Sequence, residues 1–190
     1  MNAKIYVLVL IAATLIVTGC TKPGGENIAE KKSYILNMRD ETLAELYKEV
    51  EDSKDKISKA AGYGTFSNVN VNVIFASIGE GYGVVHDNKT GEDTFMRMGM
   101  GGLGLGLGLK DFRGVVVLKT ESALKSFVDK GWEFGGHVDA AAKAGDKGGA
   151  VGGAGEVTSD IEVYQFTKSG IALQATVTGT KYWKDKELNE

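Results

Sequence analysis

The stretch from Gly99 to Leu109 reads Gly-Met-Gly-Gly-Leu-Gly-Leu-Gly-Leu-Gly-Leu, and from Leu103 onward leucine and glycine alternate strictly. Side chains of a strand point alternately to opposite faces, so the pattern predicts a strand with leucine on one face and glycine on the other. A helix is not expected, because each interior glycine costs about 1 kcal/mol relative to alanine. Glycine also weakens a strand, so its repetition predicts that another group lies close against the bare backbone of Gly104, Gly106 and Gly108.

The segments before this stretch also alternate with a period of two. Residues 69–75 read as a half-buried strand, and residues 82–86 and 94–98 read as two more. The last two are separated by Asp-Asn-Lys-Thr-Gly-Glu-Asp at 87–93, which is typical of a polar hairpin loop.

The segments after it predict further strands. Residues 115–118 form a continuous apolar run, which is typical of a central strand. Residues 161–167 and 171–182 are expected to pair with each other across a tight turn at 168–170.

The strongest helix prediction lies ahead of all these strands. Its apolar residues recur at helical spacing and share one stripe: Leu36, Leu43, Leu46, Val50, Ile57 and Ala61. Lys56 and Lys59 suit its last turn and Gly62 suits its C-terminal cap. We expect this helix to pack on the sheet and to be the neighbour of the glycine face. Alternatively, an acyl chain lies against the glycine face. A second alternative is that part of the helix lies on a membrane surface.

A second, shorter helix is predicted after the central strand. Thr120 suits its N-cap, an apolar face follows, and Gly131 closes it. The chain is therefore predicted to be an α+β domain. An N-terminal amphipathic helix packs on a strongly curved, mostly antiparallel, barrel-like sheet that carries one short embedded helix.

The first residues of the chain predict a secretory signal rather than part of the fold. Lys4 precedes the apolar run 5–17, and small residues follow it. The sequence Val-Thr-Gly-Cys at 17–20 resembles the lipobox of bacterial lipoproteins, which implies that Cys20 becomes the first mature residue and carries acyl chains. The expected organisation is a signal peptide at 1–19, a flexible tether at 20–27 and one domain at 28–190.

The composition of the chain is compatible with an exported protein and argues against thiolate-bound metals and nucleic acid as partners. Cys20 is the single cysteine, so no disulfide or thiolate metal site competes for it. Cleavage before Cys20 removes one lysine and shifts the net charge from −3 to −4. A mildly acidic domain is not expected to bind nucleic acid. In a Gram-negative cell, Thr21 after the cysteine, where retained lipoproteins carry Asp, predicts the periplasmic face of the outer membrane.

Catalytic chemistry has little support in the sequence. Gly99-x-Gly101-x-x-Gly104 matches the dinucleotide fingerprint in form, but that motif must open a helix and these glycines continue into a strand pattern. The two histidines, His86 and His137, are far apart in sequence, so a zinc site has little support. His86 beside Asp87 and His137 near Asp139 could pair with carboxylates, but surface strand positions explain both histidines better. We therefore predict no cofactor, no metal and no enzymatic activity. An enzymatic function would become plausible again only if His86, Asp87 and Asp111 were found together in one pocket.

Several stretches together resemble the SYLF (YSC84-like) lipid-binding domain over about residues 57–183. They are Gly-Leu-Gly-Leu-Gly-Leu-Lys-Asp at 104–111 with Val-Val-Val at 115–117, Leu124 and Phe127 of the short helix, Phe-Gly-Gly at 134–136 with Asp139-Ala140, and Tyr-Gln-Phe-Thr-Lys-Ser-Gly-Ile-Ala at 164–172. The chain departs from the family at Phe66-Ser67, where many members have Phe-Pro, and at 94–96, which lacks the usual proline and tryptophan nearby.

The resemblance implies lipid or membrane binding without catalysis. Phosphoinositide specificity is not carried over, because eukaryotic members owe it to a basic segment that this chain replaces with a lipid anchor and a mixed-charge helix. The expected partners are membrane lipid, through the acyl chains of Cys20 and through the domain. The alternative is a structural or interaction lipoprotein that binds another cell-envelope protein.

Overall fold

The structure, a computed structural model, describes residues 22–134, 155–167 and 177–190. Two helices precede a long hairpin, a third helix follows it, and four short strands and a 3-10 helix complete these residues. Their bounds are α1 Ile28–Glu49, α2 Ser53–Lys59, β1 Gly62–Asp87, β2 Asp93–Leu118, α3 Glu121–Lys130, β3 Trp132–Phe134, β4 Gly155–Thr158, β5 Ile161–Thr167, β6 Val177–Lys184 and the 3-10 helix Glu187–Asn189. The predicted α+β class is confirmed.

The glycine–leucine stretch is part of a strand, as predicted. It lies within β2, which pairs antiparallel with β1 from Gly62 opposite Leu118 to His86 opposite Asp93. Gly106 and Gly108 stand opposite Ile74 and Asn72. The separate strands predicted on either side therefore belong to two continuous strands of 26 residues each.

The long hairpin curls until the two ends of β1 meet. A Cβ atom added at Gly83 would collide with the carbonyl oxygen of Thr65, and one at Gly81 would collide with that of Ser67. Glycine lets the two backbone segments approach at these points because it has no side chain. The curl gives the sheet an inner and an outer face, which confirms the predicted strong curvature.

The second edge of β2 is shared by two strands. Residues Met96 to Leu103 pair with β6, and residues Phe112 to Leu118 pair with β5. The expected pairing of the last two strands with each other is not what the described residues show. Over these residues β5 lies between β2 and β4, and β6 lies between β2 and β3.

Apolar side chains fill the inner face, and α3 packs against them. The largest buried cluster contains residues from four strands and α3: Phe66, Val85, Met96, Met98, Val116, Leu118, Leu124, Phe127, Ile161 and Tyr182. As predicted, the side chain of Thr120 accepts a hydrogen bond from the backbone N–H of Ala123 at the start of α3. Gly131 ends the helix with a φ of 71°.

The N-terminal helices cover the outer face. Ile35 and Met38 of α1 pack with Val84 and Phe95, while Leu46 packs with Val115 further along the sheet. The predicted helix is divided in two, because the chain leaves the helical path between Glu49 and Ser53. Packing of this amphipathic helix on the sheet is confirmed.

One detail of the helix prediction was wrong. Gly62 does not cap the helix, because α2 ends at Lys59 and Ala60 is its cap. Gly62 begins β1, where a Cβ would collide with the carbonyl oxygen of His86. This position needs glycine for the close approach of the two ends of β1 rather than for a helix end.

Candidate functional site

A groove of about 660 Å³ opens at one end of the curled sheet, between the β1–β2 turn, the end of α2 and the face of α3. Its floor is apolar, with Ala60, Ala61, Val85, Leu124 and Val128. Its rim is polar and charged, with Ser58, Asp87, Asn88, Lys89, Thr90, Glu92, Thr94, Glu121, Lys125 and Asp129. A cavity of this size with an apolar base and a few polar groups suits a small amphipathic ligand.

The turn that forms one wall is held by its own polar side chains. The carboxylate of Asp87 accepts the backbone N–H groups of Lys89 and Thr90 at 2.8 and 3.0 Å. These two backbone bonds lower the pKa of Asp87. Gly91 takes a φ of 76°, which favours glycine, so the turn closes without strain.

Asn88 joins this turn to the end of α2. Its side-chain amide donates to the carbonyl oxygens of Ile57 and Ala60 at 2.7 and 3.0 Å, and its backbone N–H donates to Ala61 at 3.0 Å. The amide thereby satisfies carbonyl groups that the helix end leaves without partners. Two walls of the groove are thus fixed relative to each other.

The rim carries charges of both signs. Lys89 lies 2.8 Å from Glu121 of α3, and this hydrogen bond, with the charge of Glu121, raises the pKa of Lys89. Lys125 and Asp129 lie further along the same helix. The mouth of the groove is therefore polar, and it does not favour a ligand of one sign of charge over a ligand of the other.

His86 lies outside the groove and binds a carboxylate that the sequence did not indicate. Its Nδ1 is 2.7 Å from Asp93, the residue opposite it in the hairpin. Asp93 also binds Arg39 of α1 at 3.2 Å. Burial acts to lower the pKa of Arg39, but Asp40 and Asp93 outweigh it and raise the pKa. The cluster fastens α1 to the hairpin.

The remaining predicted site residues lie outside what the structure describes in detail. Cys20, His137 and Asp139 fall outside the described residues, as does the side chain of Asp111. The strand position of Gly104, Gly106 and Gly108 is described, but not what lies against their faces. Their role as a close-packing or lipid-binding face stays a prediction.

A second polar cluster lies on the outer face and was missed by the sequence analysis. Lys56 of α2 lies 3.0 Å from Glu162, which accepts the hydroxyl of Tyr164 at 2.6 Å. Burial acts first to lower the pKa of Lys56, but bonds to Glu162, Asp52 and Tyr164 outweigh it and raise the pKa. Burial and the bond to Glu162 raise the pKa of Tyr164 to about 12. The cluster ties α2 to β5.

We expect this cluster to make stability depend on pH. Burial acts to raise the pKa of Glu162, but bonds from Tyr164 and Lys56 outweigh it and hold the pKa below its ordinary 4.5. Such a carboxylate stabilises the fold above its unfolded pKa, and the stabilisation is lost as the pH falls through the folded value. Urea unfolding between about pH 6 and pH 3 should therefore show a smaller loss of stability in Glu162→Gln than in the wild type. Parallel profiles would contradict this assignment.

No group of three or more His, Cys, Asp or Glu residues in the part of the chain that the structure describes is placed to hold a metal ion. Among the described helices, none has the length and the apolar character needed to cross a membrane.

The fold and the groove define a small α+β domain with a groove open at one end of a curled sheet. Residues 99–190 match the model of the Ysc84 family, described as "Las17-binding protein actin regulator". The resemblance to the Ysc84, or SYLF, family drawn from the sequence is thereby confirmed over residues 99–190. This family is one of lipid-binding and actin-regulating proteins rather than of known enzymes.

A relative extends the similarity beyond the matched domain. The chain is 30% identical over 161 residues to Beta cell expansion factor A of Aeromonas veronii. The aligned region covers 85% of this chain and 60% of the relative, so the chain spans less than two thirds of that protein.

Proposed function

We propose that this chain is a non-enzymatic lipoprotein of the outer membrane, anchored through acyl chains on Cys20, whose domain binds lipid at the periplasmic face. The anchor is supported by the order of its sequence features, namely a basic start, a short apolar run and a lipobox-like ending at Cys20. Two or more acyl chains give stable membrane attachment, whereas one gives only marginal binding.

The groove is the observation that carries lipid binding by the domain. Its apolar floor can take an acyl chain while its polar rim remains beside the headgroup, which is the division of surface that an amphipathic ligand requires. Rim charges of both signs suit a zwitterionic headgroup as well as an anionic one. The family to which the domain belongs supports the same class of ligand.

A substitution on the groove floor tests this assignment. Val128 is partly buried and lines the groove, so Val128→Gln places an amide where the acyl chain would lie. We expect about tenfold weaker binding of a fluorescent lysophospholipid, because a polar group buried without a partner costs about 1–3 kcal/mol. Titration of residues 22–190 with the probe measures the effect.

The matched control is Ser126→Gln, which adds the same amide to the exposed face of the same helix. Its affinity should equal that of the wild type. Equal affinity in all three proteins would mean that the lipid does not occupy the groove. Failure of the wild type to bind lysophospholipid or to float with vesicles of any composition would remove lipid binding by the domain.

The second candidate function is binding of another cell-envelope protein. The observation that favours it is the description of the family, which names a protein, Las17, as what its members bind. Under this alternative, residues 22–190 would fail to float with vesicles, and crosslinking in cells would join the intact lipoprotein to one envelope protein. The flotation experiment therefore separates the two functions.

A further inference from the structure

A row of aromatic and basic side chains crosses the outer face of the sheet beside the start of α1. Tyr82, Arg97 and Trp183 stand directly opposite one another on β1, β2 and β6. Residues directly opposite in antiparallel strands share a face, so these three side chains form one line. Tyr34 of α1 extends the line, with its ring 5.9 Å from that of Tyr82 in an edge contact. We call these four residues the outer aromatic row.

Parts of this row are open to solvent. Tyr34 is 47% exposed, and Ile28 on the same helix is 45% exposed, which is unusual for large apolar side chains in the described part of the chain. Trp183 is partly exposed and lies across Gly99, where an added Cβ would be 3.2 Å from the indole ring. At Gly101, two residues further along the same face, nothing lies within 4 Å of that position. The surface beside the indole is therefore bare backbone.

The tether brings this row close to the anchor. A Cβ at Gly24 would touch the ring of Tyr34 at 2.9 Å, so the chain before α1 lies on that ring. Gly24 is the fourth residue after Cys20, and four residue steps span at most about 14 Å when fully extended. An acylated Cys20 would therefore lie within about 14 Å of Gly24, the residue that contacts the ring of Tyr34.

Tyr82 is only 8% exposed and packs beneath α1, so it supports the row from within. We propose that the other three side chains, those of Tyr34, Arg97 and Trp183, lie against the membrane interface when Cys20 is acylated, which fixes the orientation of the domain on the bilayer. Tyrosine and tryptophan favour the interface because each presents an apolar ring with a polar group at its edge. Arg97 extends its guanidinium to the headgroups from the same line. The occupant is the bilayer surface itself, and the inference rests on the proposed acylation.

The charges around the row indicate which bilayers it accepts. Arg97 lies 3.9 Å from Glu80, and Lys31 lies 2.6 Å from Glu187. Because the basic groups have acidic neighbours, electrostatic attraction to anionic lipid is a small part of the contact. The row should therefore engage a bilayer of phosphatidylethanolamine alone nearly as well as one that also contains phosphatidylglycerol.

Tryptophan emission from the intact lipoprotein tests this orientation. In a Trp132→Phe background, Trp183 is the single tryptophan, and the acylated protein is reconstituted into vesicles of phosphatidylethanolamine and phosphatidylglycerol. We expect lipids brominated near the headgroup to remove about half of the Trp183 emission. The matched control replaces both native tryptophans with Phe and carries Lys48→Trp in the exposed last turn of α1, and its emission should be unchanged by brominated lipid.

A second probe keeps the test independent of the folding of the tryptophan variant. Tyr34→Cys provides the one free thiol of the acylated chain, and an environment-sensitive fluorophore attached there should brighten on membranes, unlike one attached at Lys48→Cys. A protein that floats with vesicles while both the indole and the residue-34 probe stay in water would overturn the orientation. The orientation would also be overturned if the two probes left water only when another envelope protein was present. Failure to float at all would instead contradict acylation and hence the proposed function.

Discussion

Gly83→Ala is expected to destabilise the domain by about 3 kcal/mol. The added methyl group would collide with the carbonyl oxygen of Thr65 and with the ring of Phe66, which is 2% exposed in the inner core. A backbone oxygen cannot turn away as a flexible side chain can, so the two ends of β1 would have to separate. Urea unfolding followed by far-ultraviolet circular dichroism measures the loss.

The matched control is Gly101→Ala in β2. A Cβ at this position has nothing within 4 Å, and alanine reduces the conformational freedom of the unfolded chain. Its free energy of unfolding should stay within about 0.5 kcal/mol of the wild type. Equal effects at the two positions would show that β1 does not close on itself, and the inner and outer faces described above would lose their basis.

Glu41→Ala is expected to cost about 2 kcal/mol. Arg113 lies on the outer face beneath α1, 8% exposed, and its guanidinium binds Glu41 at 3.2 Å and the hydroxyl of Thr42 at 3.2 Å. Without Glu41, the buried guanidinium of Arg113 would keep the neutral hydroxyl of Thr42 as a partner but would have no carboxylate in this contact. The effect is smaller than for a fully buried pair, because the Glu41 side chain is 69% exposed.

A double substitution separates this cause from a general effect on α1. Arg113→Met removes the cation that Glu41 neutralises, so Glu41→Ala should cost less in that background than in the wild type. Glu45→Ala, one turn further along α1, is the control and should change the free energy of unfolding by less than about 0.5 kcal/mol. An equal cost of Glu41→Ala in both backgrounds would mean that the ion pair is not what stabilises this junction.

The local elements of the fold could be predicted because their signals are local. Alternation over 99–109 predicted a strand, and Thr120 and Gly131 marked the ends of α3. The break after Glu49 was not predicted, because the apolar stripe continues through it at helical spacing. The closure of β1 was not predicted either. It depends on Gly81 and Gly83 meeting residues that lie more than a dozen positions away, and no short-range pattern records such a contact.

The candidate site was harder to predict than the fold. The groove combines α2, the hairpin turn and α3, so its lining residues form no motif along the chain. His86 was expected at a surface strand position, with Asp87 as the carboxylate it could pair with, whereas the hairpin register places it opposite Asp93. The predicted loop at 87–93 would have placed Thr94 opposite His86, whereas the observed register is shifted by one residue. The outer aromatic row likewise follows from register, since its members come from α1, β1, β2 and β6.

The most direct measurement of the proposed function is the intact mass of the mature protein purified from bacterial outer membranes. We predict a chain that begins at Cys20 and carries two or three acyl chains. We also predict that the Cys20→Ser variant yields no acylated protein. A mature protein that retains a free thiol at Cys20, or one cleaved at another residue without any added lipid mass, would contradict the proposed function.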